Sequence, residues 1–141
     1  MTQLDNSSTD TDLNTFPEES PTMKTVACQV DANPTGDIFG GWLLGQMDLA
    51  GALRAYQEVG KRIVTVGVDA MTFKKPVYVG DEVLFFTSVE KTGTTSITIK
   101  IDSWAKRADT KKLVKVTEGS YTFVAIDENR KPVPIHDKSD K

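Results

Sequence analysis

The chain has 141 residues, the size of one domain, and its hydrophobic share of 38% allows it a core of its own. A single cysteine, Cys28, excludes a disulfide framework, and with a single histidine, His136, the chain cannot build a zinc site from Cys and His. The same counts argue against a Cys–His or Ser–His catalytic pair. An enzyme of this composition works with carboxylates, amides, hydroxyls and backbone dipoles.

Charge is spread unevenly along the chain. The net charge is -3, but residues 1–21 hold five acidic and no basic side chains, so the remaining 120 residues carry +2. This weakly basic body suits a ligand with phosphate groups and lacks the concentrated positive charge of a nucleic-acid-binding protein. No apolar run approaches the ~18 residues of a membrane span, and the first residues do not form a secretory signal. We expect a cytoplasmic protein with no nucleic-acid or membrane partner.

The hydrophobic pattern predicts one domain between two polar ends. Residues 1–21 predict a disordered acidic arm, residues 22–127 the domain, and residues 128–141 a C-terminal tail. Within the domain the elements follow the order β-α-β-β-β-β. The predicted strands cover 23–30, 62–73, 82–91, 95–105 and 113–126, and the helix runs from about residue 42 to about residue 58.

Turn residues set several of these boundaries. The sequence DANPTG at 31–36 predicts a turn, Gly60 a helix C-terminal cap, and Gly119 a possible bulge in the last strand. Residues 106–112 form a charged turn whose cations, Lys106, Arg107, Lys111 and Lys112, are interpreted as a solvated tip. The fold class is α+β, and because one helix covers only one face of a five-stranded sheet, we expect an oligomer.

The predicted helix is apolar on nearly every side and contains one acid, Asp48. A helix of this kind is buried. The positions one and two turns away on the same face hold only small residues, namely Gly41, Gly45, Ala52 and Ala55. Asp48 is either the solvent-facing position of a core helix or a carboxylate in an apolar cleft, where it is a candidate base or nucleophile.

Two features before the helix are candidates for binding. Gly40 and Gly41 precede the apolar run, and free N–H groups there could bind an anion or a developing oxyanion, although a tight turn explains the glycines equally well. Asn33 could hold a water molecule or a carbonyl group, but an Asn before Pro commonly starts a turn.

The residues around Asp48 carry a family resemblance. The stretch DANPTGDIFGGWLLGQMDLAG at 31–51 resembles the signature of hotdog-fold acyl-CoA thioesterases of the YciA type. The stretches VTVGVDAMTFKKPVYVGD at 64–81 and KTGTTSITIKIDSW at 91–104 are similar to that family in the same order and spacing. The resemblance spans roughly residues 22–127. It implies a hotdog fold, in which a curved five-stranded antiparallel sheet wraps one long central helix.

The resemblance also implies a reaction, the hydrolysis of acyl-CoA to a free acid and CoA. By resemblance Asp48 is the catalytic acid, Asn33 is the motif asparagine, and the N–H groups near Gly40 and Gly41 polarise the thioester carbonyl. Sites in this fold lie between two subunits, and YciA-type enzymes are commonly trimers of dimers, so a homodimer building block and a homohexamer are expected. Asp48 acts either as general base on water or by direct attack. No cofactor and no metal is implied.

The phosphates of CoA call for donors at the entrance of the site. The basic candidates are Arg62, Lys74 and Lys75, each of which could equally be a solvated charge. The turn of Gly93, Thr94, Thr95 and Ser96 could donate to phosphate or pantetheine, or could be a plain hairpin turn. Trp42 could border the acyl tunnel, although core packing is the simpler interpretation.

Two other functions fit the same fold. A dehydratase or hydratase would use a histidine with an acid, and the only histidine, His136, lies in the tail. A non-enzymatic acyl-CoA-binding regulatory module would need a partner or a DNA-binding segment, and the arms show no such pattern.

Overall fold

The computed structural model describes residues 16–136 and contains the elements in the predicted order. The bounds are β1 (Met23–Val26), α1 (Gly40–Val59), β2 (Ile63–Phe73), β3 (Glu82–Thr92), β4 (Ser96–Lys106) and β5 (Leu113–Ala125). The α+β class with one helix and a five-stranded antiparallel sheet is thereby confirmed. The predicted limits of the domain, the arm and the tail stay predictions, and residues 1–15 and 137–141 lie outside the described residues.

The sheet has the strand order β1-β3-β4-β5-β2, and every neighbouring pair is antiparallel. β1 and β2 are therefore the two edges. α1 packs on one face of the sheet, against β2, β3, β4 and β5. Met47 and Ala50 of the helix are fully buried there, together with Phe85, Ile101 and Phe123 of the sheet.

β1 is shorter than predicted. The prediction of a strand over 23–30 was wrong beyond Val26, and a 3-10 turn occupies Gln29–Asp31. The reason lies in the partner strand: Val26 pairs with Glu82, the first residue of β3, so the ladder has no strand to continue along. Ala27 instead exchanges main-chain hydrogen bonds with the turn before β3, donating to Asp81 O at 2.9 Å and accepting from Gly80 N at 2.8 Å.

The helix ends as its sequence predicts and exposes more than predicted. Gly60 adopts a left-handed conformation with φ 69° and donates its N–H to Tyr56 O at 2.7 Å, which confirms the C-terminal cap. In this chain Leu49, Leu53 and Tyr56 are exposed, so the expectation of a helix buried all round was wrong for the single chain. One helix resting on one sheet face leaves its opposite side uncovered.

The predicted bulge at Gly119 was also misplaced. Gly119 pairs regularly with Ile101, and on its other side Ala70 and Met71 of β2 are inserted between paired residues. Within β5, the register shift against β4 falls at Val116 instead. Ala70 has a positive φ of 53°. A Cβ on Gly119 would lie 2.7 Å from Met71 Cε, so the glycine makes room for the bulge of its neighbour.

Gly51 allows the helix to approach the sheet closely. A Cβ at this position would lie 2.8 Å from Ile101 Cδ1 and 3.0 Å from Phe123 Cζ, both on the sheet below. These distances are shorter than ordinary carbon–carbon contacts. A larger residue must therefore displace Ile101, Phe123 or the helix itself.

Gly51→Ala is expected to lower the free energy of unfolding. Overpacking costs about 1–3 kcal/mol, which exceeds the gain of about 1 kcal/mol from the better helix propensity of alanine. Urea unfolding at fixed protein concentration measures the difference. Adding Ile101→Val removes the closest atom, so the double variant should lose less than the sum of the two single losses. A stabilised Gly51→Ala variant would contradict this packing account.

Candidate active site

Asp48 is held by a hydroxyl group from the neighbouring edge strand. The carboxylate is half-buried, and its Oδ1 accepts a hydrogen bond of 2.7 Å from Thr65 Oγ1. The register between β2 and β5 shifts directly after Thr65, between Thr65 and Gly67. A shift of this kind re-aims the side chains beside it. The carboxylate is therefore oriented by a side chain of the sheet.

A buried tyrosine supports the same part of the helix. Tyr121 is 1% exposed and donates its hydroxyl to Leu44 O at 2.7 Å. In an α-helix this carbonyl also accepts the backbone N–H of residue 48. Burial, and secondarily the negative charge of Asp48, raises the pKa of Tyr121, so the hydroxyl stays protonated as a donor.

The small-residue face of the helix is open in the single chain. A Cβ at Gly41 or Gly45 would meet no atom within 4 Å. Asp48 lies one turn further along this face, while Ala55 at its far end is fully buried. The helix surface between its N-terminus and Asp48 is therefore uncovered, as the small residues predicted. A substrate or a second chain can reach Asp48 from this side.

Asn33 builds the turn that leads into the helix. Its Oδ1 accepts three hydrogen bonds, from Thr35 N at 3.0 Å, Thr35 Oγ1 at 2.7 Å and Asp37 N at 3.1 Å. The turn-forming interpretation of Asn33 is thus confirmed. Because the carbonyl oxygen is occupied, only the NH₂ group of this side chain can act on a water molecule or a substrate.

The helix N-terminus offers backbone donors at its exposed glycines. The first N–H groups of a helix have no acceptor within the helix, and Gly40 and Gly41 are both exposed. Trp42 N and Leu43 N, the next in line, turn back to Phe39 O. Eight residues separate Gly40 from Asp48, which at 1.5 Å per residue is about 12 Å along the axis. In one chain these donors and Asp48 cannot act on the same carbonyl group.

The candidate groups for binding CoA lie at two ends of the molecule. Arg62 precedes β2, and the turn over residues 93–96 lies at the same end of the sheet. Both places contact the end of β5: Thr95 O accepts the N–H of Ala125 at 2.9 Å, and Arg62 O accepts the N–H of Ile126 at 2.9 Å. Lys74 and Lys75 follow the opposite end of β2, and both donate their N–H to Val116 O. The 11 residues of β2 separate the two ends by roughly 35 Å. Trp42 packs against the core cluster, as the simpler interpretation expected.

One residue of the charged turn is not solvated. Arg107 donates to the buried carboxylate of Asp81 and to Pro76 O, and its guanidinium lies over the ring of Tyr78. The interpretation of Arg107 as part of a solvated tip was therefore wrong, because it has a buried acid to pair with. Lys106 and Lys111 are exposed as expected.

Sequence reasoning also missed Thr65 and Tyr121. Neither has a local signal, since a threonine and a tyrosine are ordinary residues in a strand. Thr65 lies 17 residues after Asp48, and only the return of the chain from the helix into β2 brings them together.

Comparison with known proteins identifies the family of this chain. The Thioesterase superfamily profile matches residues 35–111. The acyl-CoA thioester hydrolase YciA of Salmonella typhimurium is 41% identical over 128 residues, which is 89% of this chain and 96% of that protein. The hexameric thioesterase y2039 from Yersinia pestis is 42% identical with a TM-score of 0.81, covering 86% of this chain and 100% of that one.

A more distant structure contains bound coenzyme A. An acyl-CoA hydrolase from Staphylococcus aureus, solved as an Asn-to-Ala mutant in complex with coenzyme A, is 26% identical with a TM-score of 0.74. The match covers 79% of this chain and 67% of that one. The chain described here belongs to the Thioesterase superfamily as a hotdog-fold acyl-CoA thioester hydrolase of the YciA type, which confirms the resemblance and the expectation of an enzyme.

Within residues 16–136, no group of three or more His, Cys, Asp and Glu side chains is placed to hold a metal ion. In that same range, no helix is both long and apolar enough to cross a membrane.

Thr65→Val tests the support of Asp48. The substitution keeps the β-branched shape and removes the hydrogen-bond donor to Oδ1. We expect kcat for acyl-CoA hydrolysis to fall on the order of tenfold or more, because a hydrogen bond to a charged group contributes about 1.5–3 kcal/mol. Thr65→Ser, which keeps the hydroxyl, is the matched control and should retain most of the activity. Equal losses in both variants would contradict the role of the hydroxyl.

Proposed function

We propose that this chain hydrolyses acyl-CoA to a carboxylic acid and CoA, with Asp48 as the reacting carboxylate. The observation that carries the proposal is the hydrogen bond from Thr65 to Asp48, which orients an acid on the open, glycine-lined face of α1. The relatives add support. In the Staphylococcus aureus enzyme, the asparagine and the aspartate that were each replaced by alanine are fifteen positions apart, which is also the separation of Asn33 and Asp48.

We infer that two chains pair through β2. This edge strand of 11 residues carries exposed Val66 and Val68, and exposed Leu49, Leu53 and Tyr56 lie on the uncovered side of the helix. An apolar edge with unpaired main-chain groups favours pairing with another strand. A two-fold axis across the edge would join two copies of β2 antiparallel and bury the exposed side of each helix.

The same pairing completes the active site. Within one chain, Asp48 contacts Thr65 near the start of β2. Gly40 instead lies near the end of β2, since a Cβ built at Gly40 would lie 3.6 Å from the ring of Phe73. Antiparallel pairing about the middle of β2 sets the start of one strand beside the end of the other. The helix N-terminus of the second chain then lies beside Asp48, which removes the separation of about 12 Å found within one chain.

The site can cleave the thioester by either of two routes. In the first, Asp48 takes a proton from water, the water oxygen attacks the carbonyl carbon, and the resulting oxyanion accepts hydrogen bonds from the N–H groups of the partner's Gly40 and Gly41. The intermediate collapses, the C–S bond breaks, and the CoA thiolate takes the proton. In the second, Asp48 attacks directly, CoA leaves as thiolate, and water opens the anhydride. The NH₂ group of the partner's Asn33 orients the water.

Pairing also brings the basic candidates together. Arg62 at one end of β2 comes near Lys74 and Lys75 of the partner subunit, so both ends can serve one CoA. The turn over residues 93–96 lies at the Arg62 end and supplies further donors. CoA is part of the substrate, so the proposal includes no cofactor. We further propose a cytoplasmic homohexamer built as a trimer of these dimers. The similar thioesterase y2039 is hexameric.

Release of free thiol from acyl-CoAs of increasing chain length tests the proposed activity. The wild-type protein should turn over several of them, and Asp48→Asn should lose on the order of 10²-fold or more in kcat, the scale of a lost general base. Asp109→Asn, an exposed acid in the hairpin between β4 and β5 and away from the β2 edge, is the control. Binding of acyl-CoA without thiol release would instead favour the regulatory module. Full activity of Asp48→Asn would overturn the role of that residue.

A mixing experiment tests the shared site. Asn33→Ala and Asp48→Asn should each be nearly inactive alone. Co-expressed with different tags, they should form mixed dimers with one intact site each, and random pairing restores about a quarter of the wild-type activity per chain. Purification through both tags removes oligomers that contain only one variant, so activity in the doubly purified protein must come from chains of both variants in one oligomer. No recovery in the doubly purified protein would mean that both residues serve a site within one chain.

A further inference from the structure

We propose that Arg107 is a positioning residue of the active site: it anchors the turn that presents the Asn33 amide and the Gly40 and Gly41 N–H groups. The inference rests on the proposed function and concerns a residue that touches no reacting atom. Arg107 lies in the hairpin between β4 and β5, outside the signature that surrounds Asp48.

The anchor begins at a buried ion pair. Asp81 is 2% exposed, and its Oδ2 accepts hydrogen bonds from Arg107 at 2.5 Å and from the backbone N–H of Tyr78 at 2.9 Å. The side chain of Arg107 is itself only 15% exposed. Burying a carboxylate costs free energy unless a cation and hydrogen bonds satisfy it.

The same guanidinium fixes the main chain before Asp81. It donates to Pro76 O at 3.0 Å, and its Cζ lies 4.6 Å from the centre of the Tyr78 ring. One planar group thus contacts the segment over residues 76–78 at both ends. Lysine cannot reproduce this arrangement, because its ammonium group is a point charge that neither forks nor stacks.

The segment over residues 76–78 also contacts the turn that leads into α1. Ile38 N donates to Val77 O at 2.9 Å, and Asp37 forms an antiparallel bridge with Tyr78. Ile38 and Val77 are both buried at this junction. Asp37 also binds Asn33, because its carbonyl oxygen accepts the backbone N–H of Asn33 at 2.7 Å. A continuous set of contacts therefore runs from Arg107 to Asn33 and to the start of α1.

Displacement of this turn is expected to affect the rate more than substrate binding. Oxyanion donors act only when they lie at hydrogen-bond distance from the developing charge, and a shift of about 1 Å can cost as much as 10²-fold. The proposed CoA-binding residues closest to the anchored segment, Lys74 and Lys75, keep their own backbone hydrogen bonds to Val116 O. Loss of the anchor should thus lower kcat and leave KM nearly unchanged.

The test uses a pair of variants that separates positioning from folding. Arg107→Met leaves the carboxylate of Asp81 buried without its cation and should lower Tm. The double variant Asp81→Asn/Arg107→Met removes both charges, and its amide oxygen can still accept the Tyr78 N–H, so Tm should recover. We expect the double variant to keep a kcat at least about tenfold below wild type, with KM within about twofold. Lys106→Met and Lys111→Met, exposed neighbours in the same hairpin, are the controls and should leave both constants unchanged.

Each other result overturns the inference. A double variant with recovered Tm and wild-type kcat would mean that the ion pair serves stability alone. A raised KM with unchanged kcat, shared by Lys106→Met, would mean that the hairpin binds CoA directly. An inactive wild-type protein would overturn the proposed function itself, whereas an active wild type with a fully active double variant overturns this inference alone.

Discussion

The rise of the α-helix is the constraint on which the account of this site depends. Eight residues separate the exposed N–H groups at Gly40 from the carboxylate of Asp48, and the helix holds them about 12 Å apart. No side-chain rotation closes that gap. Under the proposed mechanism, a single chain therefore carries two halves of a site, and the exposed edge of β2 is the proposed means of joining them.

The sheet acts as the frame that orients each half. Near the start of β2 the register shift places Thr65 against Asp48, and Tyr121 from β5 supports the helical turn behind it. At the other half, the buried pair of Asp81 and Arg107 supports the turn that leads into the helix. Both supports come from the sheet or its hairpins and act on groups at the helix, so the site keeps its geometry through packing of rigid elements.

Much of the fold could be predicted because its signals are local. Runs of β-branched and alternating apolar residues between turn signals predicted four of the five strands nearly to the residue, and Gly60 predicted the end of the helix. The errors arose where a neighbouring strand decides the outcome. β1 stops where β3 begins, and the bulge occurs in β2 opposite Gly119, since the missing Cβ of one strand makes room for the insertion in the next.

The site was predictable only in part for the same reason. Asp48, the glycines and Asn33 lie within one short stretch of sequence with a specific spacing, so the family resemblance could single them out. Thr65 and Arg107 reach their partners through contacts between residues 17 and 26 positions apart in the chain. A charged turn gives no sign that one of its cations pairs with a buried acid, because burial is a property of the folded chain.

A crystal structure of the oligomer with a non-hydrolysable acyl-CoA analogue tests the central claim most directly. The account predicts an analogue bound between two chains, with its carbonyl oxygen about 3 Å from a backbone N–H of one chain's Gly40 or Gly41 and its carbonyl carbon beside Asp48 of the other. An analogue whose carbonyl contacts these groups from one chain only, or that binds away from Asp48, would contradict the shared site.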